Sequence, residues 1–131
     1  MIKTSIIGLG KIGFDYDLRH KKNVKSHFDA LKKHKIFDLV SIYDLNKIKI
    51  KKINKENNLQ VFTNIEKDFF KQKNIKLVII SVNTKNHYEV IKKVINTIKP
   101  KAILCEKPFT GTYSLSKKIL QLSKKKKIPI F

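Results

Sequence analysis

Three of the chain's four glycines fall inside one six-residue stretch, Gly8-Leu9-Gly10-Lys11-Ile12-Gly13, directly after a short β-rich run, Ile2 to Ile7. This is the G-x-G-x-x-G spacing placed where a strand gives way to a helix, and it restricts the fold more than any other feature. Gly8 permits a tight turn, Gly10 lets the backbone approach a diphosphate with no Cβ in the way, and Gly13 allows a helix to pack closely on the strand. The amides that follow, Lys11 and Ile12 among them, open a helix N-terminus, which favours an anion. The alternative is an ordinary glycine-rich turn.

The rest of the chain alternates in the way such a turn requires. After Ile2–Ile7, strand-like runs occur at Leu39–Tyr43, at Val61 and Phe62, at Leu77–Val82, at Ala102–Cys105, and at Ile128–Phe131, which starts a sixth strand. Leu77–Val82 is almost continuously apolar, as a strand buried on both faces should be. Helical patterns lie between them: His27–Lys35, Lys47–Asn58, Ile65–Lys73, a segment with Tyr88, Ile91, Ile95 and Ile98 that Thr84 could cap, and a last one with Leu115, Ile119 and Leu122 that Ser114 could cap. Lys124–Lys127 suits the negative end of that last helix. The order implies an α/β fold: one doubly wound parallel sheet with helices on both faces, in a single domain over residues 1–131.

One acidic position and one insertion refine the picture. Asp44 ends the second strand, where a carboxylate can accept hydrogen bonds from both hydroxyls of an adenosine ribose and repels a 2′-phosphate. That favours NAD over NADP, although Lys47 nearby leaves NADP open. Asp44 could equally cap the helix that starts near Asn46. It stands 31 residues after Gly13, against the usual roughly 20. The excess is read as an insertion, Phe14 to Lys25, carrying Asp15, Tyr16, Asp17, Arg19 and His20, either a surface loop or a cover for a ligand.

In open sheets of this kind ligands sit outside the strands' carboxyl ends. Two further segments fall there: Val82-Asn83-Thr84-Lys85-Asn86-His87 and Glu106-Lys107-Pro108. With the glycine fingerprint, the acidic strand end and a His-x-x-Ala-Leu helix start at His27–Leu31, the chain resembles the glucose-fructose oxidoreductase / inositol dehydrogenase / MocA (Gfo/Idh/MocA) family over essentially its whole length. One departure is Asn83, where that family has a proline four residues before the histidine, so the backbone near a nicotinamide ribose can differ.

The resemblance implies a Rossmann fold, an NAD(P)-dependent oxidoreductase, and hydride transfer between a nicotinamide dinucleotide and a hydroxyl or carbonyl of a sugar, cyclitol or nucleotide sugar. It implies cofactor contacts from Gly8, Gly10, Lys11, Ile12, Gly13, Asp44, Val82, Asn83, His87, Glu106 and Lys107, and makes Lys107 the catalytic residue. A lysine at its ordinary pKa, about 10.4, is a poor base at neutral pH; burial and a positive nicotinamide would both help it to relay a proton. His87, on a helix's first turn, is expected as a neutral donor or acceptor, or as a residue without ligand contact. Glu106 and Lys107 should point to opposite sides, leaving Glu106 for a ribose hydroxyl or a structural bond, and a cis Lys107–Pro108 bond is allowed.

Proteins of that family continue past the sixth strand into a substrate domain that supplies a catalytic histidine. This chain ends at Phe131, so it is expected to be the cofactor-binding part alone, with little turnover by itself. The resemblance also allows a homo-oligomer in a full-length protein. Two rival readings remain: a non-catalytic nucleotide-binding or redox-sensing module, and a basic nucleic-acid-associated protein.

Composition bears on the last of these. Net charge is +20, but the 30 basic residues are 29 lysines and Arg19. Recognition of phosphates and bases favours the planar fork of arginine. Lysine, isoleucine and asparagine together are what an AT-rich genome encodes by default, so the charge reads as a solvated surface with no specific nucleic-acid partner. A single cysteine excludes a disulfide framework, and no Cys/His cluster has metal-ligand spacing. No apolar run approaches the roughly 18 residues of a membrane span, and Met1–Gly10 lacks a signal-peptide core. A soluble protein of a reducing compartment, the cytoplasm, is expected.

Overall fold

The structure, a computed structural model, describes residues 1–16, 24–57, 60–61 and 66–131. Among these residues five strands form one sheet: β1 (Ile2–Ile7), β2 (Phe37–Tyr43), β3 (Gln60–Val61), β4 (Leu77–Ile80) and β5 (Ala102–Cys105). Their order is β3-β2-β1-β4-β5, and every pair is parallel. The chain therefore starts in the middle, winds outward one way through β2 and β3, crosses back over β1, and winds the other way, which is the doubly wound arrangement. Among the described residues five α-helices accompany the strands: α1 (His27–Lys33), α2 (Lys47–Asn57), α3 (Glu66–Phe70), α4 (Thr84–Thr97) and α5 (Tyr113–Lys126).

Alternation along the strands divides the core in two. Ile6, Ile42 and Ile79 face α1 and α2, meeting Phe28, Leu31, Ile50 and Ile53. Ile7, Val78, Ile80 and Ile103 face the other way, against Phe69, Phe70, Ile91, Val94, Ile95 and Ile119 of α3, α4 and α5. Strand neighbours i and i+1 thus serve opposite layers, which is why β4 reads as an unbroken apolar run.

Several boundaries differ from the sequence reading. β4 stops at Ile80, although the Ser81 amide still donates to Ile7 O (2.8 Å) at the end of β1. The caps differ as well. Asn83, not Thr84, precedes α4, and it does so without a side-chain cap. Thr112, not Ser114, caps α5, its hydroxyl accepting from the Leu115 amide. α1 ends at Lys33 and α3 spans only Glu66–Phe70. Lys127 closes α5 in a left-handed conformation (φ 55°). The expected sixth strand is present only as a beginning: Ile130 bridges Ile103 in parallel, the Phe131 amide donates to Ile103 O, and the Ile103 amide donates to Pro129 O. The expected insertion does not begin as a loop, since Lys11–Asp15 form a π-helical turn in which Phe14 packs edge-on to Phe28. Asp17, Arg19 and His20 of that insertion, like Phe62 and Ile65, lie outside the described residues. No described helix is long and apolar enough to cross a membrane.

Candidate functional site

The register of the parallel ladders builds the site. Tyr43 pairs with Ile7, Ile7 with Ile80, and Ile80 with Cys105, so the last residues of β2, β1, β4 and β5 stand in one row. The residues that follow them form the rim of the sheet in the order Asp44, Gly8, Ser81, Glu106. Main-chain bonds carry this row past the strands: Gly8 N donates to Tyr43 O (2.8 Å) and Glu106 N to Ile80 O (2.9 Å).

The glycine turn is tied to this rim. Gly8 adopts φ +94°, and a Cβ there would lie 2.6 Å from the Ser81 carbonyl carbon and oxygen. A Cβ on Gly13 would meet Gly8 O at 2.2 Å and Ser81 Oγ at 2.8 Å. Ser81, buried, donates from Oγ to Gly8 O (2.7 Å). Gly10 is different: an added Cβ meets nothing within 4 Å, and no side chain caps the π-helical turn that Gly10 begins. The first amides of a helical turn have no partner within it, so the cradle is open where Gly10 stands.

Asp44 closes one side of the turn. Its Oδ2 accepts from the Leu9 amide (2.6 Å) and its Oδ1 from the Asn46 amide (2.7 Å). The cap of α2 is Asn46 itself, whose Oδ1 accepts from the Lys49 amide (3.0 Å), and not Asp44. Lys49 adds a tie absent from the sequence reading: Nζ donates to Leu9 O and to Asp15 Oδ2, both at 2.7 Å.

Beside the turn opens a cleft of about 890 Å³, lined among others by Gly8, Gly10, Asp44, Val82 and Asn83. Its apolar wall comes from Ile7, Tyr43, Phe70 and Val90, with the Tyr43 ring 5.2 Å from that of Phe69. Burial, with Glu66 and Asp44 adding to it, pushes the Tyr43 phenol up, so the hydroxyl stays protonated. On the far wall lie Glu89, Lys92, Lys93 and Asn96 of α4 and Glu66 of α3, the last paired with Lys93.

The remaining sequence candidates lie elsewhere. Lys11 is exposed, Ile12 half-buried and Gly13 buried within the π-helical turn, and none lines the cleft. His87 is 1% exposed, and its ring faces main-chain carbonyls: Nδ1 lies 3.0 Å from Pro108 O and 3.1 Å from Phe109 O, and Nε2 lies 2.9 Å from Val82 O. Carbonyls only accept and a neutral ring carries one N–H, so the ring donates to one side, the Pro108–Phe109 carbonyls or Val82 O according to its tautomer, and it is not among the residues that line the cleft. Cys105 Sγ lies 3.5 Å from the same Nδ1; burial above all, and then Glu106, push its thiol up to about 12.

Glu106 and Lys107 follow β5 across a cis Lys107–Pro108 bond. Glu106 Oε1 meets His27 Nε2 at 2.7 Å, the structural bond the sequence left open. Lys107 is exposed, and with Glu106 it borders a separate hollow of about 220 Å³ beside Leu120 and Phe131. The burial expected around its amine is therefore not supplied by the described residues, and its amine has no ion-pair partner among them. No three His, Cys, Asp or Glu side chains come together as a metal site among the described residues.

Comparison with known proteins agrees with this geometry. A family model described as an oxidoreductase family with an NAD-binding Rossmann fold, Gfo/Idh/MocA, matches residues 2–131. An uncharacterized oxidoreductase of Schizosaccharomyces pombe is 30% identical over 127 residues, which is 97% of this chain and 32% of the relative. Among solved structures, a dehydrogenase from Clostridium difficile superposes with a TM-score of 0.77 at 25% identity, covering 98% of this chain and 38% of its own. An oxidoreductase from Bacillus cereus shares the fold, with a TM-score of 0.77 at 24% identity over 99% of this chain and 34% of its own. The chain thus spans about a third of the length of these relatives. With strand order, glycine turn and family match in agreement, this chain belongs to the Gfo/Idh/MocA oxidoreductase family and forms its NAD-binding Rossmann domain.

Proposed function

We propose that the cleft binds NAD in preference to NADP, and that Lys107 is the catalytic residue of a hydride transfer on a sugar, cyclitol or nucleotide-sugar hydroxyl or carbonyl. The observation that carries the cofactor half is the rim row, Asp44–Gly8–Ser81–Glu106, with an open cradle at Gly10 inside it. The residues fit a dinucleotide: the turn at Gly10 has room for a diphosphate, and the apolar wall with Tyr43 and Phe70 suits a flat base. Asp44 stands between the two. Two amides already hold its carboxylate in place, yet each oxygen keeps acceptor capacity for a ribose diol. A 2′-phosphate would meet that fixed negative charge.

When bound, NAD supplies the hydride acceptor. The chain's part is to orient and to move a proton. In oxidation the carbinol carbon loses a hydride and the hydroxyl proton passes to the Lys107 amine; in reduction the ammonium returns a proton to the carbonyl oxygen. Lys107 starts from a fixed backbone, because Glu106 N is bonded to Ile80 O and His87 holds the two residues that follow. The dispersed lysines are read as solvated surface, and the setting as cytoplasmic.

Titration calorimetry of the chain with NADH and NADPH tests the cofactor reading. Wild type is expected to prefer NADH. Asp44→Ala is expected to weaken NADH by about tenfold or more, the worth of at least one hydrogen bond to a charged acceptor, and to leave NADPH unchanged or improved. Equal affinity of wild type for the two dinucleotides would refute the role given to Asp44.

A further inference from the structure

The rim holds two carboxylates, and the phosphate cradle lies between them. Asp44 stands one strand from Gly8 on one side; Glu106 stands two strands from it on the other. Three strand spacings, about 14 Å, separate the two main-chain positions. A dinucleotide has the matching order: a ribose diol, a diphosphate, and a second ribose diol. If the first ribose lies at Asp44 and the diphosphate at Gly10, the second is directed along the rim toward β5.

Both carboxylates are held in place, by different means. Main-chain amides hold Asp44. Glu106 is held by a side chain 79 residues away, His27, at 2.7 Å. His27 is the first residue of α1, and α1 packs under the glycine turn through Phe28, which meets Phe14 edge-on at 5.0 Å. The Ser26 hydroxyl accepts from the Asp29 amide and fixes the start of that helix. His27 is thus anchored to the element that carries the cradle, while Glu106 is anchored to β4 through Ile80 O. Only Oε1 of Glu106 is engaged by His27. Oε2 makes no hydrogen bond to a described residue, and the pair is partly open, at 18% and 26% side-chain exposure.

We propose that His27 is a positioning residue: its bond to Oε1 holds the Glu106 carboxylate so that Oε2 accepts from the diol of the nicotinamide-side ribose. This inference rests on the dinucleotide reading of the cleft. It assigns His27 no contact with the ligand. Its effect should therefore fall on ligands that carry the second ribose and not on those that end at the diphosphate.

The test is titration calorimetry of the intact chain with NADH, ADP-ribose and ADP, on wild type, His27→Ala, His27→Gln and Glu106→Gln. ADP carries the adenosine and diphosphate alone and reports whether each variant still has a formed cradle; the thermal midpoint reports the fold. His27→Ala and Glu106→Gln are expected to weaken NADH and ADP-ribose by about tenfold while ADP stays within about twofold. His27→Gln, which keeps an N–H donor, should recover most of the loss. The proposal is overturned if His27→Ala leaves NADH unchanged, if ADP weakens in step with NADH, or if glutamine rescues nothing. A wild type that binds ADP but gains nothing from the second ribose overturns it too. A wild type that binds none of the three refutes the reading of the cleft, and the role of His27 with it.

Discussion

The three glycines of the turn separate folding from binding, and the structure says which does which. At Gly8 a Cβ must accept φ +94° and also sit 2.6 Å from Ser81 main-chain atoms. Strain of that kind costs about 1–3 kcal/mol, and forcing a methyl into filled space costs about 1–3 kcal/mol more. Gly8→Ala should therefore lose about 2–6 kcal/mol. At Gly13 the backbone is helical, but the Cβ would lie 2.2 Å from Gly8 O, so the π-helical turn would have to move off the end of β1; about 1–3 kcal/mol is expected. At Gly10, with φ −68° and ψ −160°, alanine is at ease and its Cβ meets nothing within 4 Å. That substitution should stabilise the fold by about 0.4–1 kcal/mol through the unfolded chain.

For a domain of this size about 1 kcal/mol moves the thermal midpoint by roughly 3–5 °C. Gly8→Ala should thus melt at least about 6 °C lower than wild type, and Gly10→Ala no lower. NADH titration should show the reverse order of damage per degree. Gly10→Val, folded as well as wild type, should lose NADH by more than about tenfold, because its side chain occupies the space next to the turn's free amides. Two results would refute the reasoning: a Gly10→Ala midpoint as depressed as that of Gly13→Ala, or a well-folded Gly10→Val that still binds NADH as wild type does.

Two further outcomes follow from buried groups. His87→Ala removes the donor facing the carbonyls of Val82, Pro108 and Phe109. A neutral ring has one N–H, so one donated bond is lost; leaving a buried acceptor without its partner costs about 1–3 kcal/mol, read as a midpoint lower by about 3 °C or more; an unchanged midpoint would show that these contacts hold nothing. Cys105, with its thiol pushed up to about 12 by burial and then by Glu106, stays protonated at pH 8. Its reaction with a disulfide reagent such as DTNB should be on the order of a thousandfold slower than in the urea-unfolded chain, because only the thiolate attacks. The rate should climb with pH up to about 12; equal rates in the two states would mean that the thiol is not shielded.

What the sequence disclosed and what it withheld divide along one physical line. The glycine turn, the paired layers and the parallel order were legible because each depends on local pattern: apolar runs, period-2 alternation in the strands and glycine spacing. Asp44 was legible as a strand-end carboxylate. The ties that make these parts into a site were not. Ser81 to Gly8, Lys49 to Leu9, and His27 to Glu106 join residues 73, 40 and 79 positions apart. Nothing in the neighbourhood of Lys49 sets it apart from the other lysines of α2; only its place over Leu9 O does. The Ser5–Ser41–Gln72 hydrogen-bond chain inside the sheet is of the same kind. His87 shows the limit most plainly. Its position on a first helical turn suggested a ligand contact, whereas the carbonyls on its Nδ1 side, Pro108 O and Phe109 O, lie 21 and 22 residues away in the loop after β5, which no spacing rule brings to it.

Those long-range ties also bear on Lys107. Its Cα is held from both sides, by the Glu106 amide on Ile80 O before it and by His87 on Pro108 and Phe109 after it, yet its amine is exposed. Proton relay at a carbinol needs the opposite balance at the amine: little water and a fixed direction toward the oxygen. In the proposed reading the domain therefore supplies position and the bound molecules supply burial, with the cofactor on the cradle side and the substrate over the amine. A catalytic group arranged in this way is inert until both are in place. That would limit wasteful proton exchange with solvent at an amine that stands exposed in the domain alone.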